Sequence, residues 1–212
     1  MRWLTENWYK VSVFCAGACA VALALGDWDL RSRTILAATA VLFLHFFEEF
    51  GFPGGFPWVG LHVEMHIEGT DARQWPLNHL NAMFGNWWYA AVVYLLALVL
   101  PGARFLTLAV ALFAFLEVLM HVVVFNAALR TWYNPGLVTA AFGLMPISIA
   151  YLVRIAGAGL YTWVDVVLAF VWIVFNYWVA FRSPIYAWMG RKSDRYAFSD
   201  EEVMLARRYM GK

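Results

Sequence analysis

Six long apolar stretches divide the chain, and short polar turns separate most of them. A helix that crosses a membrane needs about 20 predominantly apolar residues. Pro53 and Pro101 stand where two of the stretches should end, because proline cannot continue a helix. The pattern therefore predicts an all-α protein, a polytopic transmembrane helix bundle of about six spans. These spans are Trp8–Gly26, Thr34–Phe52, Met83–Leu100, Phe105–Ala128, Gly136–Ile155 and Leu160–Phe181.

The C-terminal segment from Arg182 to Lys212 differs from the rest of the chain in being polar, and it carries seven of the 15 Lys and Arg residues. In "FSDEEVMLARRYMGK", Ser199 or Asp200 can cap a helix, acids follow in the first turn, and arginines stand near the end. We expect residues 1–182 to form the transmembrane domain and residues 183–212 a cytoplasmic tail with a short helix. Lys and Arg concentrate on the cytoplasmic side of membrane proteins. With an even number of spans, both termini should lie in the cytoplasm, and the protein in the cytoplasmic (inner) membrane.

Composition supports the membrane class. Hydrophobic residues make up 63% of the chain and charged residues only 14%, which is too little charge for a soluble domain of 212 residues. The net charge of +1 and the absence of a basic patch exclude a nucleic-acid partner. The expected partners are the lipid bilayer and a small apolar or lipid substrate. The composition also allows a homo-oligomer.

Ionisable residues interrupt this apolar pattern at a few places. "HFFEEFGFPGG" ends the second predicted span with His45, Glu48 and Glu49, and "FLEVLMHVVVF" places Glu117 and His121 inside the fourth. Residues three and four apart share a helix face. Ionisable groups inside a span usually face the bundle interior and mark function. Under the six-span topology both groups lie in the cytoplasmic half.

Two further polar groups fall at the same depth. His79 stands just before the third predicted span, and Tyr133 and Asn134 stand just before the fifth. Imidazole and carboxylate groups bind zinc and iron, and no Lys or Arg lies near these glutamates in the spans. We therefore predict a divalent transition metal, iron or zinc, in a mono- or dinuclear site. The candidate ligands are His45, Glu48, Glu49, His79, Glu117 and His121, and the candidate catalytic residues are Glu49, Glu117, Tyr133 and Asn134.

The chain resembles the HXXEE family of integral membrane proteins. The similarity is carried by "HFFEEFGFPGGFP" at 45–57, "PLNHLN" before the third span, the histidine of the fourth span, and "YNPGLVT" at 133–139. It extends from Thr34 to about Ala150. The family has no settled activity, and its motifs imply an enzyme.

The segment between the second and third spans, Gly51 to Ala82, is the longest connection. Its "LHVEMHIE" stretch alternates apolar and polar residues, which is the period of a β-strand. An extended conformation would place His62, Glu64 and His66 on one face. Such a face could hold a second metal, but a hydrated interfacial loop or a lid over the site fits the pattern better.

Several functions use the same residues. The favoured one is a membrane-embedded metal-dependent enzyme, a hydrolase or an oxidoreductase, that acts on a lipid or other apolar substrate. In a proton-coupled transporter or carrier, the Glu and His side chains would form a relay. In a metal-free intramembrane glutamate hydrolase, a glutamate would activate water, although the chain lacks the EExxxR pattern of that group. A haem protein would leave the glutamates unexplained.

Overall fold

The structure is a computed structural model that describes residues 2–210; the predicted tail's Gly211 and Lys212, and Met1, lie outside them. Over that range it is all-helical and has no strand. Six of its helices are long and apolar enough to cross a membrane, which confirms the predicted fold class. We number these helices span one to span six: Trp8–Leu25, Leu30–Phe50, His79–Val99, Arg104–Leu129, Leu137–Ile155 and Trp163–Gly190.

Polar caps set the helix starts. The Asp29 carboxylate accepts a hydrogen bond from the N–H of Ser32 at 2.7 Å and begins span two. Asn78 and Asn81 cap the start of span three reciprocally. Both spans begin about four residues before the predicted starts, because cap residues satisfy the free N–H groups of the first turn. This earlier start includes His79 in span three.

Spans three, four and five each contain a stretch of wider, π-helical turns. These stretches are Tyr89–Leu95, Leu119–Phe125 and Ala140–Leu144. A π-helical turn shifts the side chains that follow it to a new face and occurs often at functional sites. The stretch in span four contains His121.

Span four lies at the centre of the bundle. It packs against spans three, five and six, while spans one and two pair along their length. Alanines such as Ala109 and Ala114 are fully buried on span four and allow close helix contact. The outer surface of span six is apolar, with Val167, Phe170 and Val171 all exposed. Apolar residues on the outside and polar residues inside suit a lipid environment.

The C-terminal helix, Asp200–Met210, is docked on the bundle. Its Val203 and Ala206 are buried. It packs against the short helix Phe56–Val59 that follows span two. The C-terminal segment thereby fixes the connection between spans two and three.

The strand period of that connection does not correspond to a strand in the structure. Phe56–Val59 is α-helical, and Gly60–Glu64 continues it as a π-helical turn. The N–H of Met65 donates to the Gly60 carbonyl at 3.2 Å. A segment without a neighbouring strand can pair its own backbone groups only through helical or turn hydrogen bonds. Hence the first half of the alternating sequence folds into a helical turn, and residues 65–68 form an irregular segment.

Candidate metal centre

Spans two and four each bring one histidine and one glutamate to the same buried point. Span two supplies His45 and Glu49, and span four supplies Glu117 and His121. Nε2 of His45 lies 3.4 Å from Oε2 of Glu117 and 3.6 Å from Oε1 of Glu49. Nε2 of His121 lies 3.4 Å and 3.5 Å from the same two oxygens. The two helix pairs recognised separately in the sequence therefore meet in space.

The arrangement has the dimensions of a metal site. His45, Glu117 and His121 each offer a ligand atom, and these three atoms lie within 4.8 Å of one another. Around a tetrahedral zinc ion with ligands at about 2.1 Å, neighbouring ligand atoms are about 3.4 Å apart. The two contacts of Glu117 match that separation. The Glu49 carboxylate approaches both imidazoles, but Glu49 is not part of this three-residue group.

The hydrogen bonds of His121 define its tautomer. The amide nitrogen of Asn134 donates to the backbone carbonyl of His121 at 2.6 Å, so the amide oxygen must be the atom that faces the ring. That oxygen lies 2.6 Å from Nδ1 of His121 and can only accept. Nδ1 therefore carries the proton, and the lone pair is on Nε2.

His45 has the same tautomer through a longer chain of hydrogen bonds. The Thr139 hydroxyl donates to Oε2 of Glu48 at 2.6 Å in preference to the Gly136 carbonyl at 3.2 Å, because a carboxylate is the stronger acceptor. A hydroxyl has one proton, so Thr139 Oγ1 accepts from Nδ1 of His45 at 2.8 Å. The lone pair of His45 is likewise on Nε2.

In their neutral form both imidazoles thus present an Nε2 lone pair to carboxylate oxygens of Glu49 and Glu117. Acceptors that face one another in a buried site repel unless a proton or a cation lies between them. Arg182 is the one Lys or Arg among the described residues around the adjoining cavity, and it approaches Glu64 instead. The donor set and its charge therefore fit a divalent cation at this point.

Glu48 has a different environment from Glu49. Its carboxylate accepts from the N–H groups of Val138 and Thr139 at 3.1 and 2.8 Å, and from the Tyr133 hydroxyl at 3.1 Å. It thereby caps the start of span five. Residues adjacent on a helix point about 100° apart, so the structure places Glu48 behind His45 and outside the group of metal-ligand atoms.

Tyr133 and Asn134 also lie behind the histidines. Burial raises the pKa of the Tyr133 phenol and the charge of Glu48 raises it further, so the hydroxyl keeps its proton and donates to Glu48. Asn134 is fully buried against His121. Neither residue lines the cavity beside the group. Tyr133 therefore supports Glu48, and Asn134 supports His121, from outside the cavity.

His79 lies apart from the group. Its Nε2 is 3.1 Å from Oε2 of Glu202 on the C-terminal helix, and Tyr9 donates to the other oxygen of the same carboxylate at 3.1 Å. The structure does not bring His79 together with His45 and His121, because the first turn of span three faces the C-terminal helix.

The three residues of the alternating segment do not share a face. His62 stacks on Trp58 with ring centroids 5.2 Å apart, and His66 is exposed. Glu64 instead lines the cavity beside the His/Glu group. The helical conformation separates them, so they form no second metal site among themselves.

A cavity of about 310 Å³ adjoins the His/Glu group. Its walls come from spans two, three, four and six and from the short helix after span two. They are mainly apolar, with Phe46, Phe113 and Leu116 among them. The arrangement can hold an apolar molecule against a polar centre.

Gly136 is a site residue that sequence reasoning missed. Its φ of +101° belongs to the left-handed region that favours glycine. A Cβ at this position would lie 2.8 Å from Cε1 of His45 and closer still to Cε1 of His121. Gly136 therefore lets the backbone pack directly against both imidazoles. The "NPG" turn was the available signal, and Thr139, three residues after Gly136, was missed in the same stretch.

The fold and the site define a class: helical bundles of membrane-protein character with a buried His/Glu cluster beside an apolar cavity. More narrowly, the chain belongs to the family described as "Protein of unknown function with HXXEE motif". The family model matches residues 36–151, more than half of the chain, which confirms the resemblance. His45, Glu48 and Glu49 are the residues of the motif. No curated protein and no solved structure matches the chain.

Proposed function

We propose that this protein is a membrane-embedded, metal-dependent enzyme that acts on a lipid or other apolar substrate. The observation that carries the proposal is the pair of Nε2 lone pairs of His45 and His121, which face the carboxylates of Glu49 and Glu117 with no basic side chain between them. A bound cation removes this repulsion. The favoured ions are zinc and iron, since both accept imidazole and carboxylate ligands.

The residues divide into three roles. His45, His121 and Glu117 hold the metal, because their ligand atoms form the compact group. Asn134 and Thr139 hold the two Nδ1 protons and so orient the rings. Glu49, buried and 3.5–3.6 Å from both imidazoles, acts as the general base. A zinc or iron ion bound here would polarise a substrate oxygen or activate water.

The cavity supports an apolar substrate. Its walls are largely aromatic and aliphatic, and the candidate centre forms one part of them. Apolar walls exclude bulk water and bind a hydrocarbon by removing its surface from water. Under the proposal, substrate reaches Glu49 from within this cavity.

The proposal extends to location. We place the protein in the cytoplasmic membrane with both termini in the cytoplasm, because the Lys and Arg residues concentrate in the C-terminal segment. This arrangement puts the candidate metal centre in the cytoplasmic half of the bilayer.

Metal analysis tests the proposal. Protein purified in detergent without chelator should contain about one zinc or iron ion per chain. His121→Ala should lower the metal content more than tenfold. Loss of an outer-shell partner lowers metal affinity by about 10–100-fold, and loss of a ligand should lower it further. His66→Ala is the matched control, since His66 is exposed and outside the cavity, and it should keep wild-type metal content.

Wild-type protein with less than about a tenth of a metal per chain, roughly the level of adventitious binding, would sink the metalloenzyme proposal. Protons would then have to separate the lone pairs from the carboxylates. In that outcome the proton-coupled carrier or the metal-free hydrolase takes its place.

A further inference from the structure

The cavity has a second polar end, away from the His/Glu group. Arg182, Glu64 and Tyr177 line it there. The Tyr177 hydroxyl lies 3.4 Å from Oε2 of Glu64, and Nη2 of Arg182 lies 3.9 Å from the same oxygen. The guanidinium also lies over the Tyr177 ring, 5.6 Å from its centroid. Neither the catalytic proposal nor the metal group uses these residues.

The Arg182 guanidinium retains most of its donor capacity. Arginine has five N–H donors, and within the described residues its one hydrogen bond runs to the Phe181 carbonyl at 3.1 Å. The Glu64 contact, at 3.9 Å, is longer than the roughly 2.7–2.9 Å of a charge-assisted hydrogen bond. Burial raises the pKa of the Glu64 carboxyl, the charge of Arg182 lowers it, and Glu117 raises it again. The net rise in the pKa of Glu64 favours its neutral form, which balances less of the positive charge of Arg182.

The cavity opens beside this polar end towards the outer surface of span six. Val174 and Tyr177 line the cavity and are nevertheless 65% and 36% exposed. They continue the exposed apolar surface of Val167 and Val171. On a helix that spans a membrane, such a surface contacts lipid, so a molecule in the bilayer can enter from the side.

We propose that the cavity binds an amphiphile with an anionic head group, a carboxylate or phosphate attached to a hydrocarbon chain, and that Arg182 binds this head group. The planar guanidinium pairs with either oxyanion through two parallel hydrogen bonds. The hydrocarbon chain lies against the apolar walls and reaches the His/Glu group. The role of this amphiphile as the substrate rests on the proposed function. Its binding in the cavity does not.

Glu64 has a defined part in this arrangement. As the carboxylate nearest Arg182, it competes with the head group for the guanidinium. Its removal should therefore strengthen the binding of an anion and leave the binding of a neutral amphiphile unchanged. Arg182 and Glu64 together set the preference for charge at the cavity mouth.

The test compares oleate, methyl oleate and butyrate by equilibrium binding to the full chain in an uncharged detergent. The protein is treated with chelator, so that a carboxylate cannot bind through a metal. Wild type should prefer oleate to methyl oleate by about tenfold or more, the scale of one charge-assisted pair. Butyrate should compete poorly, because it leaves the apolar walls uncovered.

Variants test whether Arg182 causes the preference for oleate over methyl oleate. Arg182→Gln should bind both oleyl compounds equally, Arg182→Lys should keep part of the preference, and Glu64→Gln should increase it. Arg191→Gln is the matched control, because Arg191 is exposed and outside the cavity. Thermal melts verify that each variant is folded, and Arg182→Lys carries the test if Arg182→Gln does not fold.

A preference for oleate that survives in Arg182→Gln, or equal binding of both oleyl compounds by wild type, would overturn the assignment. Butyrate that competes as well as oleate would reveal a site for small anions only. If oleate is preferred only before chelator treatment, its carboxylate binds at the metal centre and not at Arg182. Metal-free wild type that still discriminates through Arg182 would retain this inference while the proposed function fails.

Discussion

Asn134→Ala tests whether the hydrogen bonds behind the histidines prepare the metal centre. Asn134 is fully buried and holds His121 by two contacts, from its amide oxygen to Nδ1 and from its amide nitrogen to the backbone carbonyl. A third bond runs to the Asn126 side chain at 2.8 Å. The substitution leaves every proposed metal ligand in place and removes only the group that fixes the ring and its tautomer.

The structure gives two separate magnitudes. Three hydrogen bonds are lost, and at about 1 kcal/mol each the free energy of unfolding should fall by about 3 kcal/mol. Loss of an outer-shell partner weakens metal binding by about 10–100-fold, or about 1.4–2.8 kcal/mol. The first effect is general to buried asparagines, and only the second is specific to the site.

Asn176→Ala separates the two effects. Asn176 is also fully buried, and it bonds Trp88 at 2.9 Å and the carbonyl of Trp172 at 2.8 Å, outside the His/Glu group. Its loss should cost about 2 kcal/mol of stability and leave metal affinity unchanged. Competition with a zinc-binding chromophore measures affinity, and denaturation in detergent measures stability.

An Asn134→Ala variant that binds zinc as tightly as wild type would refute the role of Asn134 in preparing the metal centre. Equal losses of zinc affinity in both variants would refute it as well, because the effect would then reflect general loosening of the bundle. Retained affinity together with reduced stability would give Asn134 a purely structural role.

Two predictions remain. Gly136→Ala should lower the metal content more than tenfold, because the added Cβ would displace both imidazoles. The left-handed backbone at this position adds a cost of about 1–3 kcal/mol for alanine. Metal analysis checks this prediction. Gly157→Ala, with a φ of +79° and open space around it, carries the same backbone strain and should keep its metal, so equal losses would contradict the steric argument. For topology, reporter fusions at Lys212 and in the turn at residues 26–29 should report opposite sides of the membrane, with Lys212 cytoplasmic. A periplasmic signal at Lys212 would reverse the orientation of the site.

The six spans and the His/Glu groups of spans two and four follow from the sequence alone. Both are local properties: a span is recognised from the hydropathy of about 20 consecutive residues, and residues four apart on a helix share a face whatever surrounds them. His45 with Glu48 and Glu49, and Glu117 with His121, were therefore visible as groups before any packing was known. Their common depth followed from the number of spans.

The alternating segment shows where local pattern fails. Eight residues alternate with the period of a strand, yet the backbone forms a helical turn over Gly60–Glu64. Alternation records the environments of side chains, whereas the conformation depends on where the backbone groups find partners. No neighbouring strand was available in a helical bundle, and the sequence of the segment alone does not contain that information.

Which polar residues meet depends on how the helices pack. Glu48 and Glu49 are neighbours in sequence, but helix geometry directs one to the start of span five and the other to the imidazoles. His79 shares the predicted depth of the site and lies against Glu202 instead. Depth specifies one coordinate of a side chain, whereas the rotation of each helix and the order of helices around the bundle specify the others. Those depend on packing between distant parts of the chain, and hence on contacts that no local pattern encodes.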